Sequence, residues 1–229
     1  MDKKDSIIIC IGTIGSPTFN KCYKIVNKLY NKDPRVKDIA VIRDKAPQSA
    51  WLNAMRTASV GSKWCLQIDE DMYLYKDALD ELLSFAEKKE KSGIKILNAS
   101  SLLFDLFLQT NVGSLKLWSS EALSALEFRD ILGGDRDFTK RAKALGYSNV
   151  EMKMVLGEHD SAPNPKIAFS KYFEYTQKLR KFSGESSAVN FNKFLLTKYK
   201  RNKTLINKKA YDGSRSGLSS KLKDRTKGK

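Results

Sequence analysis

The stretch WCLQIDEDMYLY (64–75) carries three consecutive carboxylates, Asp69, Glu70 and Asp71, between two apolar runs. Like charges crowded at the mouth of a buried strand repel one another, so a cation is their natural partner. The hard ions Mg2+ and Mn2+ suit carboxylates and complete their shells with water and phosphate oxygens. An acid triplet in this position points to a metal that grips a diphosphate. The alternation of side chains turns Glu70 away from its neighbours, which leaves Asp69 and Asp71 for the metal, with Asp71 as the direct ligand. The competing reading gives the acids to the cap of the next helix or to solvent.

The surrounding sequence supplies a scaffold for such a site. SIIICIG (6–12) is a β-branched apolar run leading into the turn residues GSP, and KDIAVIRD (37–44) and KWCLQID (63–69) repeat the strand pattern. Between them, FNKCYKIVNKLYNK (19–32) sets Phe19, Cys22, Tyr23, Val26 and Leu29 or Tyr30 on one helical face, and Asp33-Pro34 ends it. Gln48 to Ala58 reads as a second helix and DALDELLSFAEKKEK (77–91) as a third, followed by the strand KILNASSLLFD (95–105). Strands alternating with helices of this length predict an α/β, Rossmann-like fold, with a mostly parallel sheet covered by helices on both faces. Ligands of such sheets bind at the carboxyl ends of the strands, where the acid triplet falls.

Further along the pattern loosens. LQTNVGSLKLWSS (108–120) reads as a hairpin or a strand with loops, EALSALEF (121–128) as a short helix and GGD (133–135) as a turn. RDFTKRAKALG (136–146) is a helix, VEMKMVLGEHD (150–160) a last strand and SAPNP (161–165) a hinge. IAFSKYFEYTQKLRKF (167–182) has Phe169, Tyr172, Phe173, Thr176 and Leu179 at helical spacing with cations opposite, and FNKFLLTKYK (191–200) is a second short helix. Beyond about residue 208 the Gly, Ser, Lys and Arg composition predicts disorder. The expected organisation is a catalytic domain over 1–165, a basic aromatic helical extension over 166–207 and a disordered basic tail over 208–229.

With 229 residues and 41% apolar content, the chain is long enough for one substantial core plus an appendage. No run approaches the roughly 18 apolar residues of a membrane span, and the short N-terminal apolar run reads as a strand rather than a secretion signal. Cys10, Cys22 and Cys65 are odd in number and irregularly spaced, as expected of free thiols in a reducing compartment such as the cytoplasm. The net charge of +16 is unevenly placed: residues 166–229 hold 18 Lys+Arg against 4 Asp+Glu, and residues 1–165 hold 24 against 22. A nearly neutral body with a basic extension attracts polyanions, or simply carries a solvated, Lys-rich tail.

The ordered set of motifs over residues 6–160 resembles the metal-dependent GT-A fold glycosyltransferases, above all the large inverting group that uses nucleotide-sugar donors. Their Asp-Xaa-Asp after a buried strand is matched by Asp69-Glu70-Asp71, and their Arg/Asn-bearing helix before it by Asn53 and Arg56 in QSAWLNAMRTASVGSKWCLQIDED (48–71). Thr13 matches the Thr-bearing loop after the first strand, and Asp44 in VIRD the acid that contacts the uracil or other base; Asp44 also reads as a turn residue. The resemblance implies that Thr13, Asp44, Asn53, Arg56 and Asp69 bind the donor, a nucleoside-diphosphate sugar such as a UDP-sugar, with Mn2+ or Mg2+. GDRDFTKRAKALGY (134–147) is similar to the family segment that carries the catalytic base, with Gly134 where a Glu usually stands. The base is therefore Asp135 or Asp137, either of which could instead serve the end of the following helix. His159, the only histidine, stands where several of these enzymes take a further metal ligand, and otherwise reads as a surface imidazole. Trp51 and Trp64 read as core or as donor-pocket wall.

The implied activity is transfer of a sugar to an acceptor hydroxyl with inversion. The aromatic and basic extension suits an acceptor on a glycan or glycolipid, with the protein peripheral at the inner face of an anionic membrane. It also suits a hydroxylated DNA base, with cations along the phosphates, though prevalence within the resembled family favours the glycan or glycolipid. A helix packed on the catalytic body is the structural alternative for Phe169 to Leu179. Two competing classes are a non-enzymatic polyanion-binding protein and a nucleotidyltransferase. Nothing in the sequence fixes the oligomeric state.

Overall fold

The computed structural model describes residues 6–222. It divides into two compact units: one runs through Asp130 and resumes from Gly134 to Asp160, and the other comprises Ile131–Gly133 and the chain from Ser161 onward.

The first unit alternates strand and helix: β1 (Ile7–Thr13), α1 (Phe19–Tyr30), β2 (Val36–Arg43), α2 (Gln48–Ala58) and β3 (Trp64–Asp69). A short β4 (Met72–Leu74) follows, then α3 (Ala78–Lys91), β5 (Ile96–Asp105), β6 (Thr110–Ser119), α4 (Ser120–Ser124), α5 (Gly134–Ala144) and β7 (Ser148–His159). The seven strands form one sheet in the order β2-β1-β3-β6-β5-β7-β4. The α/β class with helices on both faces is as expected. The sheet is parallel through β2-β1-β3 and again at β5-β7, whereas β6 and β4 run against their neighbours. Hairpin closure explains β6: Gln109, at φ +57, turns the chain back after β5, and Thr110–Ser119 form one long strand.

Alternating side chains of the central strands feed two cores. On one face Ile7, Ile9 and Ile11 of β1 and Trp64, Leu66 and Ile68 of β3 pack with Cys22, Val26 and Tyr30 of α1 and Leu79, Leu82 and Leu83 of α3. On the other, Ile8, Cys10, Cys65 and Trp118 meet Leu52 and Met55 of α2 and Phe138 and Ala142 of α5. Full burial of each large aliphatic side chain contributes about 1.5–3 kcal/mol, so the strand ends that carry polar groups stand on a rigid base. α3 follows its dipole, with Asp80 and Glu81 in its first turn and Lys88, Lys89 and Lys91 in its last. The helix expected over 121–128 is shorter, ending at Ser124. The backbone from 125 is held instead by Asn53, whose amide donates to Phe128 O and accepts from Phe128 N, both at 2.9 Å.

The second unit is helical: α6 (Pro165–Ser183), α7 (Glu185–Arg201) and α8 (Leu205–Ser219). Asn164 caps α6 by accepting from Ile167 N at 2.9 Å, with Pro165 in the first turn. The disorder expected from 208 is corrected: residues 208–219 belong to α8, and residues 223–229 lie outside the described ones. The Gly and Ser that resemble a linker recur at helical spacing, and Ala210, Gly213, Ser214 and Gly217 are the buried face of α8. A Cβ on Gly213 would stand 2.2 Å from Phe169 O, so only glycine lets α6 approach this closely. Thr176 Oγ1 then donates to Ser214 Oγ at 2.9 Å, and Gln177 Nε2 to Gly217 O at 2.9 Å.

Candidate active site

Three parallel strands bring their carboxyl ends to a cleft of about 200 Å³. Gly12 and Thr13 of β1, Ile42 of β2 and the acids Asp69, Glu70 and Asp71 after β3 line it. Lys45, Gln48 and Trp51 complete the wall, Trp51 seated against Gly12. This is the side of an open α/β sheet at which ligands bind.

Each acid of the triplet has a different setting. Glu70 is buried, and its carboxylate accepts the Thr13 hydroxyl, Ser16 N at 2.9 Å and Ile14 N at 3.3 Å. Its own amide donates to Gly12 O at 3.1 Å, and Gly15 N donates to Thr13 Oγ1 at 3.0 Å. Glu70 thus pins the loop after β1 along the cleft floor. Asp71 Oδ2 stands 3.2 Å from His159 Nε2, and Asp71 O accepts from Asp160 N at 2.8 Å. His159 is the last residue of β7 rather than a loop residue, with its side chain only 15% exposed. The field of these acids reaches Cys22, whose thiol is pushed up to about 12 by burial and then by the charges of Asp71, Asp69 and Glu70. Burial first, and the nearby Asp160 carboxylate second, likewise raises the Tyr73 phenol.

Asp105 was not apparent as a site residue from sequence. It is 1% exposed and accepts Phe107 N at 2.9 Å and Leu108 N at 2.7 Å through Oδ1, while Oδ2 lies 2.9 Å from His159 Nδ1. The signal was an Asp closing an apolar strand, which read as a strand end alone. Lys45 and Gln48 were missed as well, because residues that follow a strand end carry no spacing pattern of their own.

Other sequence assignments are redistributed. Asn53 is committed to the Phe128 backbone and Arg56 pairs with Glu127 at 2.8 Å, and neither lines the cleft. Both side chains are turned to the neighbouring chain, and the same helix presents Trp51 to the cleft. Asp44 is an exposed turn residue at φ +52 whose amide donates to Thr13 O at 2.9 Å, placed between the lining residues Ile42 and Lys45. Trp64 is fully buried core. Asp135 and Asp137 both fall in the first turn of α5, inside the helix rather than at its cap. Asp137 is taken up by Arg141, 2.8 Å away and one turn on, with Arg129 at 3.8 Å. Asp135 has no hydrogen-bonding or ionic partner among the described residues.

Among the described residues no group of three or more His, Cys, Asp or Glu side chains stands ready to hold a metal unaided. Mg2+ and Mn2+ do not require one, since one or two protein ligands with substrate phosphates and water complete their shells. Two ligands at right angles in a shell of about 2.1 Å radius stand about 3.0 Å apart. The 3.2 Å between Asp71 Oδ2 and His159 Nε2 is compatible with that spacing, so the pair fits such an ion.

No family model matches the sequence, and none of the curated proteins does. Solved structures do. Mannosyltransferase PcManGT from Pyrobaculum calidifontis, solved in complex with GDP-Man and Mn2+, is similar with a TM-score of 0.59 at 10% identity over 95% of this chain and 71% of that one. A197 from STIV has a TM-score of 0.48 at 12% identity, over 68% of this chain and 85% of that one. S. aureus TarS 1-349 has 0.47 at 12%, over 94% and 90%. At 10% identity the likeness to PcManGT is one of fold, and the fold of this chain is GT-A-like.

Proposed function

We propose that this protein is a metal-dependent glycosyltransferase that moves a sugar from a nucleoside-diphosphate sugar to an acceptor hydroxyl, with inversion. The observation that carries this reading is the pairing of Asp71 with His159 beside a cleft at the strand ends. It occurs in a fold shared with an enzyme that binds GDP-Man and Mn2+. Asp71 and His159 would hold Mn2+ or Mg2+, with Asp69 at the same edge of the cleft. The ion's chemistry is to neutralise negative charge on the departing diphosphate.

The chain's own residues supply the rest. Glu70 and Thr13 fix the loop that floors the cleft, with the amides of Gly15 and Ser16 already spoken for. Trp51 gives an apolar wall for a base or sugar, and Lys45 a positive charge for phosphate. Asp135 is the general base: its carboxylate takes the proton of the acceptor hydroxyl as that oxygen bonds to the anomeric carbon and the nucleoside diphosphate leaves. Asp137 is held in its pair with Arg141 and keeps a structural role.

The acceptor side belongs to the basic helices. No helix among the described residues is long and apolar enough to cross a membrane, while residues 166–229 carry 18 Lys+Arg against 4 Asp+Glu. Tyr175 and Phe194 are exposed on α6 and α7 and join Phe191 in an aromatic cluster, with ring centroids 4.8 Å and 6.1 Å apart. Cations beside exposed aromatics suit an acceptor on an anionic surface. Liposome pelleting beside a DNA mobility-shift assay, both titrated with salt, separates a lipid-borne acceptor from a nucleic acid.

The donor is tested by thermal shift with UDP, GDP, CDP and TDP, with and without Mn2+, followed by assay of nucleoside diphosphate release from the matching sugars. Stabilisation by at least one nucleotide only with Mn2+ is expected. Nucleotide binding that ignores Mn2+ and EDTA contradicts the metal-dependent reading.

A further inference from the structure

We propose that Asp105 is a positioning residue for His159, fixing the imidazole so that Nδ1 keeps its proton and Nε2 faces Asp71 and the metal. This rests on the metal reading of Asp71 and His159 given above.

The backbone sets the two residues side by side. β7 lies between β5 and β4, and in register His159 pairs with Asp105 on one side and with Met72, the neighbour of Asp71, on the other. Leu106 N donates to His159 O at 2.9 Å, which locks that register at the strand ends. Residues directly opposite one another present their side chains to the same face of a sheet. The ring spans Asp105 at 2.9 Å and Asp71 at 3.2 Å.

Capping the strand end does not account for Asp105. Oδ1 serves the turn, accepting the amides of Phe107 and Leu108. Oδ2 is equally shielded, in a residue 1% exposed, and is turned to His159 Nδ1. Burying a carboxylate is costly unless both oxygens are satisfied, and the imidazole N–H at 2.9 Å satisfies Oδ2. Histidines that bind metals almost always give their second nitrogen's proton to such an acceptor, which fixes tautomer and ring angle.

The same two amides make the test sharp. In Asp105→Asn they keep the side-chain oxygen at the turn, so the –NH2 group replaces Oδ2 opposite His159. A donor there requires Nδ1 to accept, and moves the proton to Nε2, the nitrogen the metal needs bare. Because the chain has one histidine, tag-free protein labelled with nitrogen-15 gives a single imidazole in long-range proton–nitrogen correlation spectra. Recorded where the ring is neutral, metal-free wild type is expected to show the proton on Nδ1 and Asp105→Asn to show it on Nε2. Titration with Mn2+ alone, followed by electron paramagnetic resonance, is expected to give an affinity about 10–100-fold weaker for the variant. Wild type with a bare Nδ1, or a variant that binds Mn2+ as tightly as wild type, overturns the role of Asp105. If the variant does not fold, the wild-type spectrum decides alone. Wild type that binds no Mn2+ overturns the metal reading itself, whatever the tautomer.

Discussion

Glu70 reaches back to Thr13 across the mouth of the sheet, and the carboxylate that takes the Thr13 hydroxyl also takes the amides of Ile14 and Ser16. The middle acid of the triplet is thus the anchor of the loop between β1 and α1. Glu70→Ala leaves those donors without a buried acceptor, at a cost of about 1–3 kcal/mol. Urea unfolding should register the loss, and amide exchange should speed at Ile14 and Ser16 while β1 stays protected. Unchanged exchange at both would contradict the anchor role.

Trp51 reports on the cleft. Of the three tryptophans, Trp64 and Trp118 are 0% and 1% exposed, so only Trp51 can meet a ligand directly. Binding of a nucleoside diphosphate should change tryptophan emission in wild type but not in Trp51→Phe. A Cβ on Gly12 would come within 3.1 Å of the Trp51 ring. Gly12→Ala should therefore displace the Trp51 ring and weaken nucleotide binding. A silent wild-type signal at saturating nucleotide would exclude Trp51 as the wall.

The two acids of α5 should separate cleanly. Asp135→Asn is expected to lower transfer about 10²–10⁴-fold with stability unchanged. Asp137→Asn loses its i,i+4 pair with Arg141, a stabilisation of about 0.3–0.5 kcal/mol, and should keep most of its turnover. Turnover measured beside thermal midpoints checks both. The reverse pattern would transfer the base to Asp137.

Packing of α8 on α6 has its own test. Gly213→Val forces a side chain against Phe169 O, and overpacking of this kind costs about 1–3 kcal/mol or more. Limited proteolysis should cut the variant within 205–219 and spare the wild type. Equal resistance would contradict the close helix contact.

The fold was readable where periodicity was strong. β1 and β3 are near-continuous apolar runs buried on both faces, and α1 and α3 follow a helical period that buries Cys22, Val26 and Tyr30 and Leu79, Leu82 and Leu83. The place of the acid triplet was readable because the apolar run before it marks a buried strand, whose end the acids must follow. Asp105 was not, since its function arises from register: β5 and β7 are joined in space by a pairing that local sequence does not encode. The settings of Asn53 and Arg56 were not readable, because a polar residue on a helix before the triplet looks the same whether it faces a ligand or a neighbouring loop. α8 misled through composition, where Gly and Ser at spacing of three and four build a packing face but resemble a linker.

The central claim is that Asp71 and His159 hold a divalent ion against a nucleoside diphosphate. Isothermal titration of UDP, GDP, CDP and TDP into tag-free protein, in Mn2+ and again in EDTA, tests it most directly. The account predicts that at least one nucleotide binds in Mn2+ alone, and that Asp71→Ala weakens it by at least about 100-fold, the upper end of what a supporting residue contributes. Binding of none, or binding equally tight in EDTA or in Asp71→Ala, would contradict it.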